Sequence, residues 1–145
     1  MHSLEADSIY LLREAFRAFP RTAMLWSVGK DSTVLLWLAR KAFLGRIPFP
    51  LIHVDTSFKI PEMITWRDRM VRDWSLDLIV ARNDNAIAAR TTFPDGTATR
   101  VACCTHLKTE AVQRAIDQHN LQAVIVGVRR DEDAGVEQHA QHREQ

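Results

Sequence analysis

Residues 23–43 read AMLWSVGKDSTVLLWLARKAF, and this stretch indicates the fold of the whole chain. The apolar residues 23–26 predict a short buried strand, and residues 33–43 predict a nearly all-apolar, buried helix. Between them, residues 27–32 form a polar segment that contains glycine, lysine and aspartate. A strand that enters a helix through such a turn is typical of a parallel sheet with helices packed on it.

Strands and helices alternate along the rest of the chain. An amphipathic helix is predicted over residues 4–19, where Pro20 ends it. Further strands are predicted at 51–54, 76–80 and 121–126, and further helices at 62–74 and 106–119, with Pro61 in the first turn of the former. This order predicts an α/β fold, a parallel sheet sandwiched between helices. Ligands of such folds bind beyond the carboxyl ends of the strands, where the polar clusters 27–32, 55–57 and 127–133 fall.

Composition excludes several classes of protein. A chain of 145 residues suggests one domain, and 19 basic against 18 acidic side chains give a net charge of +1, which argues against nucleic-acid binding by bulk charge. The sequence holds no apolar run near the roughly 20 residues that span a bilayer. Glu5 and Asp7 stand where a signal peptide would be basic or apolar. Cys103 and Cys104 are adjacent, too close for the usual disulfide geometry. We therefore expect a cytoplasmic protein without a membrane or nucleic-acid partner.

Residues 27–32 carry the groups that bind an anion. Backbone N–H groups at the start of the following helix would point at the ligand, and Gly29 lets the backbone approach it closely. Ser27 and Ser32 add hydroxyl donors, and Lys30 adds a positive charge. Asp31 suits a cation ligand or a helix cap.

The same segment has two other interpretations. A Walker A loop is excluded, because Met24 stands where its glycine is required and Asp31 stands where Ser or Thr must follow the lysine. The remaining alternative is an ordinary strand–helix turn with a capped helix.

The hexapeptide Ser-Val-Gly-Lys-Asp-Ser resembles the pyrophosphate-binding loop of the N-type ATP pyrophosphatases, the PP-loop superfamily, whose usual form is Ser-Gly-Gly-x-Asp-Ser. With Val28 in its second position, the hexapeptide is most similar to that of the small ATP-pyrophosphatase subunits of sulfate adenylyltransferases, which have a branched aliphatic residue there. These subunits form a PAPS reductase-like group. This resemblance implies an adenine nucleotide alpha-hydrolase-like, Rossmann-like fold. It runs from residue 4 to about residue 133, through the segments 4–9, 38–43, 48–56, 66–69, 108–110 and 127–132.

The resemblance implies ATP-dependent adenylyl transfer to sulfate, which forms adenosine 5′-phosphosulfate and pyrophosphate. ATP would place its β and γ phosphates on residues 27–32, with Mg²⁺ bridging them and Asp31 as a ligand of the metal. The residues implied to bind ATP are Ser27, Val28, Gly29, Lys30, Asp31, Ser32, His53, Asp55, Thr56 and Gly127. The residues implied to act in catalysis are Lys30, Asp31, Arg129 and Arg130, the two arginines facing the α-phosphate or the incoming oxyanion.

The family also implies a partner subunit, a GTPase that drives the unfavourable equilibrium, and hence a homo- or hetero-oligomer. For His53, a hydrogen-bonded core histidine is the alternative to a role in the site. Members of the family are much longer, so we expect an ATP-pyrophosphatase domain at residues 1–133, a polar tail at 134–145, and no counterpart of the family's C-terminal half.

The cysteine pair is a departure from the small-subunit pattern. Cys103 and Cys104 keep a second function open, sulfur transfer by a PP-loop enzyme of thio-modification, and packing cysteines are the plain alternative. A metal cluster is not expected, because structural zinc and iron–sulfur sites need more ligands at other spacings. A third hypothesis is a non-catalytic module that binds nucleotide or docks a partner.

Overall fold

The computed structural model describes residues 2–56, 60–88, 99 and 105–128. Within these ranges, no helix is both long enough and apolar enough to cross a membrane. A π-helical turn at Thr105–Thr109 leads directly into the last helix. The elements in chain order are α1 His2–Ala18, β1 Thr22–Leu25, α2 Lys30–Ala42, β2 Leu51–Val54, α3 Pro61–Asp73, β3 Leu78–Ala81, α4 Asp84–Ala88, α5 Glu110–Gln118 and β4 Ala123–Ile125.

The four strands form one parallel sheet in the order β3-β2-β1-β4. In the register of the sheet, Met24 of β1 pairs with Leu51 of β2 on one side and Ile125 of β4 on the other. Because the strands are parallel, all their carboxyl ends meet at one edge. The segments that follow β2 and β4 therefore flank the segment that follows β1.

Helices cover both faces of the sheet. Successive residues of a strand point to opposite faces, so each strand supplies apolar side chains to both layers of helices. On one face, Met24 packs with Leu12 of α1 and Leu36 of α2, and Met70 and Val71 of α3 join the same cluster. On the other face, a smaller cluster joins strand residues to α5; its members are Ala23, Ile52, Ala81, Ala111 and Ala115. The predicted α/β/α sandwich around a parallel sheet is confirmed.

Helix α2 differs from the prediction in two ways. It begins at Lys30, so Lys30 to Ser32 form its first turn and are not part of a loop before it. It is also amphipathic, since Val34 and Trp37 are 59% and 47% exposed. One helix face alone can touch the sheet, and here that face carries Ser32, Leu36, Ala39 and Ala42 at helical spacing. The many apolar residues concealed this periodicity in the sequence.

The remaining elements match the predictions with small shifts. Residues 51–54 form a strand as predicted, and Pro61 stands in the first turn of α3. The helix predicted at 106–119 is divided into the π-helical turn and α5. The short helix α4 was missed, because its five residues are too few to show a period. The turn expected at 94–96 and the tail at 134–145 lie outside the described residues.

Candidate functional site

The 27–32 segment leaves the carboxyl end of β1 and enters α2 through a strained residue. Val28 has φ 66°, a left-handed conformation that costs a residue with a Cβ atom roughly 1–2 kcal/mol. Its half-buried side chain packs against the core cluster. Gly29 has an ordinary extended backbone, with φ −80° and ψ 171°. A Cβ atom on Gly29 would lie 3.3 Å from Oγ of Ser27, so glycine here keeps space clear.

A closed ring of three hydrogen bonds shapes this segment. The N–H of Gly29 donates to Oγ of Ser27 at 3.4 Å, and the hydroxyl of Ser32 donates to the carbonyl of Gly29 at 3.2 Å. The two hydroxyl oxygens lie 3.0 Å apart and share a hydrogen bond. Both hydroxyls form hydrogen bonds within the segment. To donate to a bound anion, a hydroxyl would have to give up its hydrogen bond inside the segment.

The charged groups of the segment lie at the protein surface. The Lys30 Nζ is 2.7 Å from Oδ1 of Asp31, and the two side chains are 88% and 67% exposed. Such a surface ion pair contributes roughly 0–1 kcal/mol, so either side chain can turn to a ligand at little cost. The N-terminus of α2 adds its partial positive charge at the same place. The Asp31 carboxylate fits Mg²⁺, which binds through one or two carboxylates together with phosphate oxygens.

A cavity of about 170 Å³ opens beside this segment at the carboxyl edge of the sheet. It is smaller than the roughly 300 Å³ at the lower end of drug-sized ligand sites, so it suits one ring system better than a whole nucleotide. Its wall is mainly apolar, with two hydroxyls and one ammonium group at its border. The lining residues are Leu25, Trp26, Ser27, Val54, Thr56, Lys108 and Val112.

The end of β4 lies against the first turn of α2. A Cβ atom on Gly127 would be 3.7 Å from the carbonyl oxygen of Asp31 and 3.4 Å from Cδ2 of Leu35. The structure therefore brings Gly127 next to the 27–32 segment, as expected from the strand order. Four further candidates lie outside the described residues: Cys103, Cys104, Arg129 and Arg130.

Two of the predicted ATP-binding residues, His53 in β2 and Asp55 just after it, contact other residues of the protein. His53 is 1% exposed, and its Nδ1 lies 3.0 Å from the carbonyl oxygen of Trp26. A carbonyl accepts only, so Nδ1 carries the hydrogen. This bond to the carbonyl of Trp26 agrees with the alternative of a hydrogen-bonded core histidine, and a contact between His53 and the nucleotide stays a prediction. Asp55 has Oδ2 3.5 Å from Nη1 of Arg82, whose Nε is 2.6 Å from Asp84.

Sequence reasoning missed Lys108 and Val112 as residues of this cavity. In the sequence, Lys108 stands out only as part of the family-like segment 108–110. Close to Lys108 in the chain, Glu110 accepts a hydrogen bond at Oε2 from Nδ2 of Asn83, which is 1% exposed, at 2.8 Å. This bond ties the end of β3 to the start of α5, two residues beyond Lys108. The available signal was Asn83 itself, a polar residue two positions after the end of a strand in a parallel sheet.

Similarity to known proteins agrees with this geometry. A family model described as "Phosphoadenosine phosphosulfate reductase domain" matches residues 21–144. The "Sulfate adenylyltransferase subunit 2" of Shewanella loihica is 47% identical over 135 residues, which are 92% of this chain and 44% of that protein. The protein of the same name from Aeromonas salmonicida is 44% identical over 142 residues, covering 92% and 43%. The chain thus spans less than half the length of these relatives.

Solved structures show the same fold. The phosphoadenylyl-sulfate reductase of Candida auris, in a phosphate complex, superposes with a TM-score of 0.69 at 20% identity and covers 85% of this chain and 61% of that one. An FMN adenylyltransferase of Candida glabrata, in complex with FAD and pyrophosphate, gives 0.50 at 15% identity, covering 86% and 42%. With the family model spanning most of the sequence, the chain belongs to the phosphoadenosine phosphosulfate reductase domain family of the PP-loop superfamily, and its fold is the Rossmann-like fold of the adenine nucleotide alpha-hydrolases.

Proposed function

We propose that this chain binds ATP and transfers its adenylyl group to sulfate, which yields adenosine 5′-phosphosulfate and pyrophosphate. The observation that carries this proposal is the juxtaposition of the 27–32 segment, at the N-terminus of α2, with the cavity at the ends of β1 and β2. The relatives named as sulfate adenylyltransferase subunits support the choice of reaction. Because the chain spans less than half their length, activity, substrates and partner are all proposed here.

In the proposed complex, the β and γ phosphates lie on the 27–32 segment. Lys30 turns from Asp31 to a phosphate oxygen, and the backbone N–H groups of the first turn of α2 bind the others. Bound Mg²⁺ would neutralise phosphate charge, and the Asp31 carboxylate would hold it. The adenine ring occupies the cavity, with Thr56 and Lys108 at its border.

The reaction forms one bond and breaks one bond. A sulfate oxygen attacks the α-phosphorus, the new S–O–P linkage forms, and the bond to the pyrophosphate oxygen breaks with its electron pair. Sulfate is fully ionised at neutral pH, so no proton has to be removed and no general base is needed. The burial of His53 agrees with this requirement. The barrier lies in bringing two anions together, so catalysis consists of positioning and charge neutralisation, to which Arg129 and Arg130 would contribute.

A partner completes the proposed assembly. The word "subunit" in the names of the relatives supports a hetero-oligomer, and we propose a GTPase as the second chain, in line with the family resemblance. We also propose that the protein acts in the cytoplasm.

The test separates binding from chemistry. Isothermal titration calorimetry with ATP and Mg²⁺ measures binding, and sulfate-dependent exchange of labelled pyrophosphate into ATP measures adenylyl transfer. Exchange that requires sulfate supports the proposed reaction. Binding of ATP without exchange, even with a partner subunit present, would make the chain a nucleotide-binding module. Loss of a sulfur-transfer activity in Cys104→Ser would instead identify a thio-modification enzyme.

A further inference from the structure

The residues on either side of the 27–32 segment are joined by a side-chain hydrogen bond. The indole Nε1 of Trp26 donates to Oγ1 of Thr33 at 3.2 Å. Trp26 immediately precedes the segment and Thr33 immediately follows it, so this bond closes the segment at its base. We call this Trp26–Thr33 bond the clasp.

Trp26 is itself held from three directions. Its backbone N–H donates to the carbonyl of Ile52 at 2.8 Å, and its own carbonyl accepts from Nδ1 of His53 at 3.0 Å. The side chain is fully buried, with its ring centroid 6.0 Å from that of Trp66. The clasp is therefore anchored in the core on its β1 side.

On the helix side, the clasp acts on the first turn of α2. The backbone N–H of Thr33 donates to the carbonyl of Gly29 at 3.0 Å, and that same carbonyl accepts from Ser32. Through these bonds the clasp joins the end of β1 to the turn that carries the N–H groups and hydroxyls of the segment. A site that is preorganised for an anion loses affinity when its supporting contacts loosen.

We propose that Trp26 and Thr33 are positioning residues, which hold the 27–32 segment in its anion-binding shape through the clasp. This inference rests on the proposed function, because the anion is the triphosphate of ATP. Neither the indole N–H nor the Thr33 hydroxyl needs to touch the ligand. Thr33 is not among the residues that line the cavity. A change in ligand affinity on substitution of Thr33 therefore does not come from a lost contact in the cavity.

Of the variants compared, Thr33→Val changes the shape of the side chain little, whereas Trp26→Phe also leaves space in the core, because the Trp26 side chain is fully buried. The comparison is between variants that remove the clasp and one that keeps it. Thr33→Val and Trp26→Phe remove it, and Thr33→Ser keeps the hydroxyl. The matched control is Thr22→Val, which deletes a hydroxyl bond to the carbonyl of Ala123 at the opposite end of β1. Each variant is titrated with ATP and with inorganic pyrophosphate by calorimetry, well below its melting temperature. The double variant Trp26→Phe/Thr33→Val completes a double-mutant cycle.

We expect Thr33→Val to weaken the binding of ATP and of pyrophosphate about fivefold each, the equivalent of one hydrogen bond of about 1 kcal/mol. Trp26→Phe should weaken pyrophosphate binding by the same factor; because Trp26 also lines the cavity proposed for adenine, pyrophosphate is the ligand that reports on the clasp in this variant. The double variant should bind pyrophosphate no more weakly than either single variant, Thr33→Ser should bind both ligands as the unaltered protein does, and Thr22→Val should lower only the melting temperature. Unchanged affinity in Thr33→Val, or an equal loss in Thr22→Val, overturns the inference and leaves the proposed function standing. Absence of ATP and pyrophosphate binding by the unaltered protein overturns the proposed function, and the inference with it.

Discussion

Substituting Val28 should reverse the usual order of stability between alanine and glycine. Alanine normally makes a chain more stable than glycine, because glycine loses more backbone freedom on folding. Val28 has φ 66°, however, and only glycine adopts this left-handed conformation without a steric penalty. Val28→Gly should therefore be more stable than Val28→Ala, although both lose the packing of the valine side chain. Glycine here also reproduces the usual Ser-Gly-Gly-x-Asp-Ser form, so ATP binding should survive.

The size of the effect follows from two opposing terms. The left-handed conformation costs alanine roughly 1–2 kcal/mol. The greater freedom of glycine in the unfolded chain opposes this by about 0.4–1 kcal/mol. Glycine should be favoured at position 28 by about 1 kcal/mol, and for a chain of this size that difference corresponds to about 2–4 °C in melting temperature.

The assay is thermal and urea unfolding, followed by circular dichroism, of both variants and of two control pairs. Leu44 has φ 54° and is 90% exposed, so Leu44→Gly against Leu44→Ala measures the backbone effect without loss of packing. Val34 is 59% exposed inside α2, where glycine should be about 1 kcal/mol worse than alanine. If Val28→Ala proves equal to or more stable than Val28→Gly, while both controls behave as stated, Val28 does not hold a strained backbone.

Three other substitutions separate the parts of the site from the core. Lys30→Ala should weaken the binding of ATP and of pyrophosphate alike, by about tenfold or more in calorimetry. The melting temperature should not change, because the Lys30 side chain is 88% exposed. Wild-type affinity in this variant would mean that Lys30 does not bind phosphate. Lys108→Ala, at the cavity, should weaken the binding of ATP and of AMP and leave the affinity for pyrophosphate unchanged. An equal loss of affinity for pyrophosphate would contradict the placement of the adenine base in the cavity. Leu36→Ala empties a fully buried position and should lower the free energy of unfolding by about 2–5 kcal/mol in urea titration; a loss below 1 kcal/mol would mean that α2 does not pack tightly on the sheet.

Local pattern in the sequence was enough for the elements and for the main motif. The apolar run at 51–54 and the proline at 61 act within a few residues, so they predicted β2 and the start of α3. The hexapeptide at 27–32 predicted an anion site, because the groups behind that prediction lie in six consecutive residues. Alternation of strands and helices then placed that site at the carboxyl edge of a parallel sheet.

Contacts between distant residues decided the rest. Lys108 lines the cavity, and two residues further on Glu110 accepts a hydrogen bond from Asn83, 27 positions before it. The left-handed backbone of Val28 arises where β1 must turn into a helix that packs back on the sheet, and no residue preference predicts it. His53 was a site candidate by its position in the chain, and only the structure shows that it is buried and hydrogen-bonded to the carbonyl of Trp26, which follows β1. Sequence thus determined which chemistry is present, and the tertiary structure decided which groups meet, because strand order and helix packing join residues that no local pattern relates.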